Sequence, residues 1–188
     1  MEKTALAILL IGAALLSYSP VTEYFLGEKT ACSCDSIEDM IAWAEGKRSC
    51  VYKDSLGIPT IGIGFNLQRG DARKLITNVG ANFDQILAGT QCLSDTQISS
   101  LFKNDQQWAE SGAKDCIGDS SLLGTCVYRV VVDMTYNMGQ YSLCSWTNFK
   151  SQLRSGNHAA AANNMASTKW CGQVGRRCTR NTDIVRSC

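Results

Sequence analysis

The sequence predicts an α+β fold that is mostly helical, with a small lobe built on a short β-hairpin or sheet, a larger helical lobe, and a cleft between them. Three observations carry this prediction. Strand character is confined to a short stretch over residues 50–65. Helical periodicity begins near Asp71 and continues through the rest of the chain. Ten cysteines, at 32, 34, 50, 92, 116, 126, 144, 171, 178 and 188, are spread through both parts.

The chain opens MEKTALAILLIGAALLSYSP, one lysine ahead of an unbroken apolar run over 5–16. That run is shorter than the roughly 20 residues a bilayer span needs, and its layout is that of a secretory signal peptide over 1–19. Ser17 and Ser19 are the small residues near the cleavage point, whose position Pro20 leaves open. A weak, releasable membrane anchor is the competing reading, and the cysteines argue against it. An extension over 20–34 and one catalytic domain over 35–188 follow. An even number of cysteines behind such a leader reads as a disulfide framework of up to five bridges, with connectivity open. Zinc fits poorly, because Cys32-x-Cys34 and Cys171-x6-Cys178 match no common finger and His158 is the single histidine. Lys plus Arg number 18 against 17 acidic residues. No strong field exists to draw the protein onto nucleic acid or anionic membrane, and nothing demands a partner subunit, so a monomer is expected.

Element by element, Ser36 with Asp39 forms a capping box ahead of Ile37, Met40, Ile41 and Ala44 at helical spacing, and Gly46 stops that helix. Cys50-Val51-Tyr52 reads as one strand and the run from Thr60 to Phe65 as another, joined by the turn Asp54-Ser55-Leu56-Gly57. Ser94 with Gln97 caps a helix carrying Ile98, Leu101, Phe102 and Ala109 on one face. Val127, Val130, Val131, Met134 and Met138, with Val132 on another side, predict a central buried helix ended by Gly139. Trp146, Phe149 and Leu153, then the alanine run over 159–162, predict two more helices, the second a surface helix begun by His158.

The chemistry lies in the small lobe. Glu45 precedes the helix-ending glycine, where the negative end of the helix dipole favours a protonated acid. Such an acid is what glycoside cleavage needs at the leaving oxygen. Asp54 opens a turn among water and backbone amides, a setting that keeps a carboxylate ionised, and the two together have the character of an acid and base pair. Strand alternation puts Thr60, Gly62 and Gly64 on one face and Ile61, Ile63 and Phe65 on the other. A hydroxyl followed by two bare backbone positions suits a cleft wall against which a bulky ligand could lie.

Glu45-Gly46, Tyr52-Lys53-Asp54, Gly57 and Thr60-Ile61-Gly62-Ile63-Gly64, without gaps, resemble the signature of phage-type lysozymes, glycoside hydrolase family 24. Support continues at Leu101-Phe102 with Asp105, Tyr136-Asn137-Met138-Gly139, Thr147-Asn148, Lys169-Trp170 and Arg176-Arg177, so the likeness spans residues 36–186. It implies a lysozyme-like fold and hydrolysis, with inversion, of the β-1,4 bond between N-acetylmuramic acid and N-acetylglucosamine in bacterial peptidoglycan. Glu45 would be the general acid, Asp54 the base or electrostatic partner of the water, and Thr60 its orienting hydroxyl. Inversion sets the two carboxyl groups roughly 6.5 to 9.5 Å apart. Asn66, Tyr136 and Asn164 match cleft positions of the family, and with Asn137 and the bare backbone at Gly62 and Gly64 they are the expected substrate contacts; no metal or cofactor is implied. Phe65 departs from the pattern, standing where well-known members have a histidine able to pair with the helix aspartate, here Asp105. A non-catalytic peptidoglycan- or chitin-binding antimicrobial protein is the alternative, and the intact Glu45, Asp54 and Thr60 set speaks against it.

Overall fold

The computed structural model describes residues 32–54, 56–118, 120–122 and 125–188. The leader expected over 1–19, and the extension as far as residue 31, lie outside them. Among the described residues the order is α1 (Ile37–Glu45), β1 (Arg48–Lys53), β2 (Pro59–Gly62), β3 (Phe65–Asn66), α2 (Ala72–Asn78), α3 (Phe83–Leu87), α4 (Asp95–Ile117), a 3-10 turn (Ser120–Leu122), α5 (Cys126–Met138), α6 (Gln140–Cys144), α7 (Thr147–Arg154), α8 (His158–Ala166), α9 (Lys169–Val174) and α10 (Arg176–Ser187). The expected α+β, mostly helical architecture is the one observed. None of these helices is long and apolar enough to cross a membrane.

Local chemistry sets the ends of α1. Ser36 Oγ accepts from the Asp39 amide at 3.1 Å, and the Asp39 carboxylate takes the Ser36 hydroxyl at 2.6 Å. The second arm of the box therefore goes to the hydroxyl and not to the backbone amide. Gly46, at φ 85°, returns its amide to Ala42 O and turns the chain out of the helix.

The strand expected from Thr60 to Phe65 is instead two strands. Gly62 and Gly64 both take positive φ, 65° and 70°, conformations that side chains rarely adopt, and they reverse the chain within three residues. Ile61 consequently pairs with Phe65 across the turn, and β1-β2-β3 form one antiparallel sheet. The two-faced alternation expected for residues 60–65 does not hold, although Ile61, Ile63 and Phe65 are all buried. Gly57 closes the preceding turn by donating to Asp54 O at 3.0 Å.

Two apolar cores result. Ile41, Ile61, Phe65, Ile76, Ile86, Ile98 and Phe102 fill the small one, while Met40, Val131, Met134, Phe149, Leu153 and Met165 belong to the large one. Helix α4 runs through both, giving Ile98, Leu101 and Phe102 to the first and Ala109, Ala113 and Ile117 to the second. Its Ser94–Gln97 capping box is reciprocal, as expected. The run Val130, Val131 and Val132 makes α5 the buried centre of the helical lobe. The alanine-run helix does start at His158, but it buries Ala161, Ala162 and Met165.

Five disulfides bind the fold: Cys32–Cys188, Cys34–Cys126, Cys50–Cys92, Cys116–Cys144 and Cys171–Cys178. The Cys50–Cys92 bridge ties β1 to the approach of α4 and pins the small lobe. Cys32–Cys188 closes a separation of 156 residues, and loops of that order gain about 4 kcal/mol or more from closure in the chain-entropy account.

Candidate active site

Where the two cores meet, α1 ends and Glu45 leaves its last turn. The sequence placed only a helix terminus beside this carboxyl; the structure adds a cation. Arg177 of α10 donates from Nη1 to Glu45 Oε1 at 2.6 Å. The other oxygen, Oε2, faces bare backbone: a Cβ on Gly64 would stand 3.6 Å from it and from the Glu45 Cβ and Cγ. The glycine at 64 is thus both a turn requirement and a clearance. Gly62 has a different neighbour, since its Cβ would meet Ile98 in the small core.

Arg177 is itself fixed from behind. Asp133, fully buried on α5, accepts from Arg177 Nε and Nη2 at 2.9 Å each, and Asp133 O accepts from Nη2 at 3.1 Å. Asn181 Nδ2 donates to the same carboxylate at 2.7 Å. Burial by itself would lower the Arg177 guanidinium, but Asp133 and Glu45 outweigh it and hold the group above its ordinary range. Sequence reasoning passed over Asp133 and gave Arg177 no role. The available signal was the run Val130-Val131-Val132-Asp133-Met134, because a carboxylate inside an apolar helix must find a partner. Arg180, one turn further on, has its guanidinium lowered by burial and lies over Trp43 at 4.4 Å.

Asp54 stands at the end of β1. Its Oδ1 accepts the amides of Leu56 and Ile58 at 2.8 and 2.9 Å, the amide-rich setting the turn foretold. Thr60, buried on β2, donates its hydroxyl to Ile58 O at 3.0 Å. Tyr52 pairs with Thr60 across the sheet. Burial first raises the Tyr52 phenol, Arg48 pulls it back, and the charges of Glu45 and Asp54 add to the rise.

Two cavities adjoin Glu45. One, of about 210 Å³, is lined by Glu45, Trp43, Asn137, Arg176 and Arg177 among others. The second, of about 560 Å³, is lined by Gly64, Arg69, Asp105, Trp108 and Tyr136 among others, and shares Gly64 with the Glu45 wall. Tyr136 spends its hydroxyl internally, donating to Ile63 O at 2.8 Å, and packs its ring on Phe102. Asn137 Oδ1 accepts from Trp170 Nε1 at 2.7 Å. Asn66 accepts the Gln68 amide at 2.7 Å. Asn164 stands on α8, which packs on α7 and α10. Where a histidine was missing at Phe65, Arg69 supplies the pairing: it reaches Asp105 at 2.7 Å and lies over the Phe65 ring at 4.9 Å. A larger cavity, of about 680 Å³, is lined by Cys32, Cys126, His158 and Cys188 among others and shares no lining residue with the Glu45 wall. No Asp or Glu side chain lines it, so chemistry and not size selects the site.

The family model for phage lysozyme matches residues 42–181. The chain belongs to the phage lysozyme family. Within that family it is similar to two proteins of Dictyostelium discoideum, named probable T4-type lysozymes 1 and 2. Identity is 24% and 26%, over 81% of this chain and 94% of each relative. A phage-type lysozyme with five disulfides is a glycoside hydrolase by kinship, and the matched span includes Glu45, Asp54, Thr60, Asp133 and Arg177.

Proposed function

We propose that this lysozyme is a secreted muramidase that cleaves, with inversion, the β-1,4 bond between N-acetylmuramic acid and N-acetylglucosamine in bacterial peptidoglycan. The observation that carries the reading is the division of labour between the two oxygens of Glu45. Oε1 is held by Arg177, and Oε2 opens toward Gly64. In the reaction Oε2 gives its proton to the bridging oxygen as the bond to the anomeric carbon breaks. A water attacks the opposite face of that carbon and passes its proton to Asp54, whose Oδ2 is the oxygen not engaged by the turn amides. Thr60 Oγ1, its own proton committed to Ile58 O, accepts from the same water and aims it. Gly64, Asn66, Tyr136, Asn137 and Asn164 are proposed to contact the sugars, while Gly62, buried against Ile98, serves the turn that brings Gly64 to Glu45. Five disulfides and the signal-like leader support export to an oxidising compartment.

The test is Glu45→Gln, which keeps an acceptor for Arg177 and removes the transferable proton. Clearing of a peptidoglycan suspension should fall by at least about 100-fold while binding to the sacculus persists. Undiminished clearing by the variant sinks the assignment. Binding without clearing by the wild type would instead make the chain a cell-wall-binding protein.

A further inference from the structure

Every described aromatic side chain except two is engaged. Trp146 packs on Phe149 and Trp170, Trp43 lies under Arg176 and Arg180, and Trp170 also donates to Asn137. Phe65, Phe83 and Tyr52 each carry an arginine, Phe102 and Tyr136 carry each other, and Tyr128 gives its hydroxyl to Glu110 O. The two exceptions are Trp108, 53% exposed, and Tyr141, 92% exposed. They are neighbours. Trp108 of α4 and Tyr141 of α6 line one open groove of about 470 Å³ together with Gly139, Gln140 and Cys144. Trp108 also lines the cavity that holds Gly64 and Tyr136. Trp108 thus stands between the cavity that holds Gly64 and Tyr136, beside the Glu45 wall, and the groove that holds Tyr141.

We infer that Trp108 and Tyr141 form an outer sugar subsite, a stacking platform for a pyranose ring of the same glycan strand beyond the bond that is cut. The inference rests on the muramidase reading for the identity of the strand. The chemistry favours a sugar. A pyranose has an apolar C–H face that an indole or phenol covers, and a polar edge that needs hydrogen-bonding groups beside the ring. Asn104 and Asp71 line the cavity on one side of Trp108, and Gln140 lines the groove on the other. Two neighbouring exposed aromatics on one groove form a contiguous apolar patch, and such patches mark ligand-binding surfaces more often than lone exposed side chains do. Helix packing fixes the backbones that carry the two rings: Gln140, next to Tyr141, packs so closely over Gly112 of α4 that a Cβ there would meet it at 3.1 Å.

The experiment measures tryptophan emission during titration with β-1,4-linked N-acetylglucosamine oligomers, a disaccharide and a hexasaccharide, for wild type, Trp108→Ala, Trp108→Phe and Tyr141→Ala. The hexasaccharide should bind the wild type more tightly than the disaccharide. Trp108→Ala should weaken hexasaccharide binding roughly five- to ten-fold, with Trp108→Phe recovering part of it. Tyr141→Ala should weaken it about two- to five-fold. Equal hexasaccharide affinity in wild type and Trp108→Ala, both with unchanged far-ultraviolet dichroism, overturns the subsite. Binding that depends on Trp108 in a wild type unable to clear peptidoglycan keeps the subsite and removes the hydrolase reading, so the two failures are distinguishable.

Discussion

Arg177 and Arg69 stand on two sides of the site, each bridging two carboxylates, and they are held in opposite ways. The side chain of Arg177 is 5% exposed and meets Glu45 and the fully buried Asp133. That of Arg69 is 34% exposed and meets Asp71 and Asp105. In the first place water cannot replace a lost partner, so the network forms completely or becomes a liability. In the second place water takes over whichever contact is removed, and the pair contributes little. The same ionic motif therefore does two jobs. Buried, it fixes one oxygen of the Glu45 carboxyl; exposed, it furnishes a wettable cavity wall beside Phe65.

The comparison breaks most visibly at Arg177. Arg177→Met leaves the buried Asp133 carboxylate only Asn181 at 2.7 Å and the longer Arg180 ion pair at 3.5 Å, and stability to urea should fall by about 3 kcal/mol. The double variant Arg177→Met with Asp133→Leu removes both charges and should recover much of that loss. Hydrolysis should not recover, because Glu45 still lacks its Oε1 donor. If the double variant is no more stable than the single one, Asp133 was not the source of the cost. If it clears peptidoglycan at the wild-type rate, Arg177 does not position Glu45.

How much of this was legible beforehand follows from the range of the interactions. Caps and stops are local, so Ser36, Gly46, the Ser94–Gln97 box and Gly139 were read directly from a few neighbouring residues. The turn at Asp54 was legible for the same reason. The break of residues 60–65 into two strands was missed because alternation alone does not reveal that Gly62 and Gly64 use their freedom to reverse the chain. Arg177 is 132 residues from Glu45 and 44 from Asp133, and no periodicity links such positions. Disulfide pairing is non-local in the same way. The cysteine count was readable, and the partners were decided by the fold.

A second variant sharpens the contrast, because Tyr136 lies between the two arginines. Burial first, then Asp105 and Glu45, raise the Tyr136 phenol well above its usual 10.0, while Arg177 and Arg69 both pull it back. A raised value means that the folded protein keeps a proton the unfolded chain gives up. The associated stability is complete below about pH 10 and is lost as pH rises through the folded value. Tyr136→Phe removes the hydrogen bond to Ile63 O and should cost about 1–2 kcal/mol near neutral pH. Its deficit should then shrink between about pH 9.5 and 11.5, since the variant has no such proton to hold. The raised phenols of Tyr52 and Tyr128 are present in both proteins and cancel in the difference. A deficit that stays constant with pH would mean that Tyr136 titrates normally in the folded state.

The smallest effect is expected at Arg69, and its smallness is the point. Arg69→Ala removes two ion pairs and the cation over Phe65, yet the partly exposed setting should hold the loss below about 1 kcal/mol. Two signatures separate this pair from the buried one. Raising salt from about 0.05 M to 1 M should erase most of the difference between Arg69→Ala and wild type, because screening reaches an exposed pair, whereas the deficit of Arg177→Met should persist. The Arg69 guanidinium also holds the Asp71 carboxyl below its usual range. That contribution is present above about pH 4 and disappears as pH falls through the depressed value, so Arg69→Ala should approach wild type in acid. A loss of several kcal/mol that resists both salt and acid would show that Arg69 is structural in the manner of Arg177. The division between a fixed wall and a wettable wall would then fail.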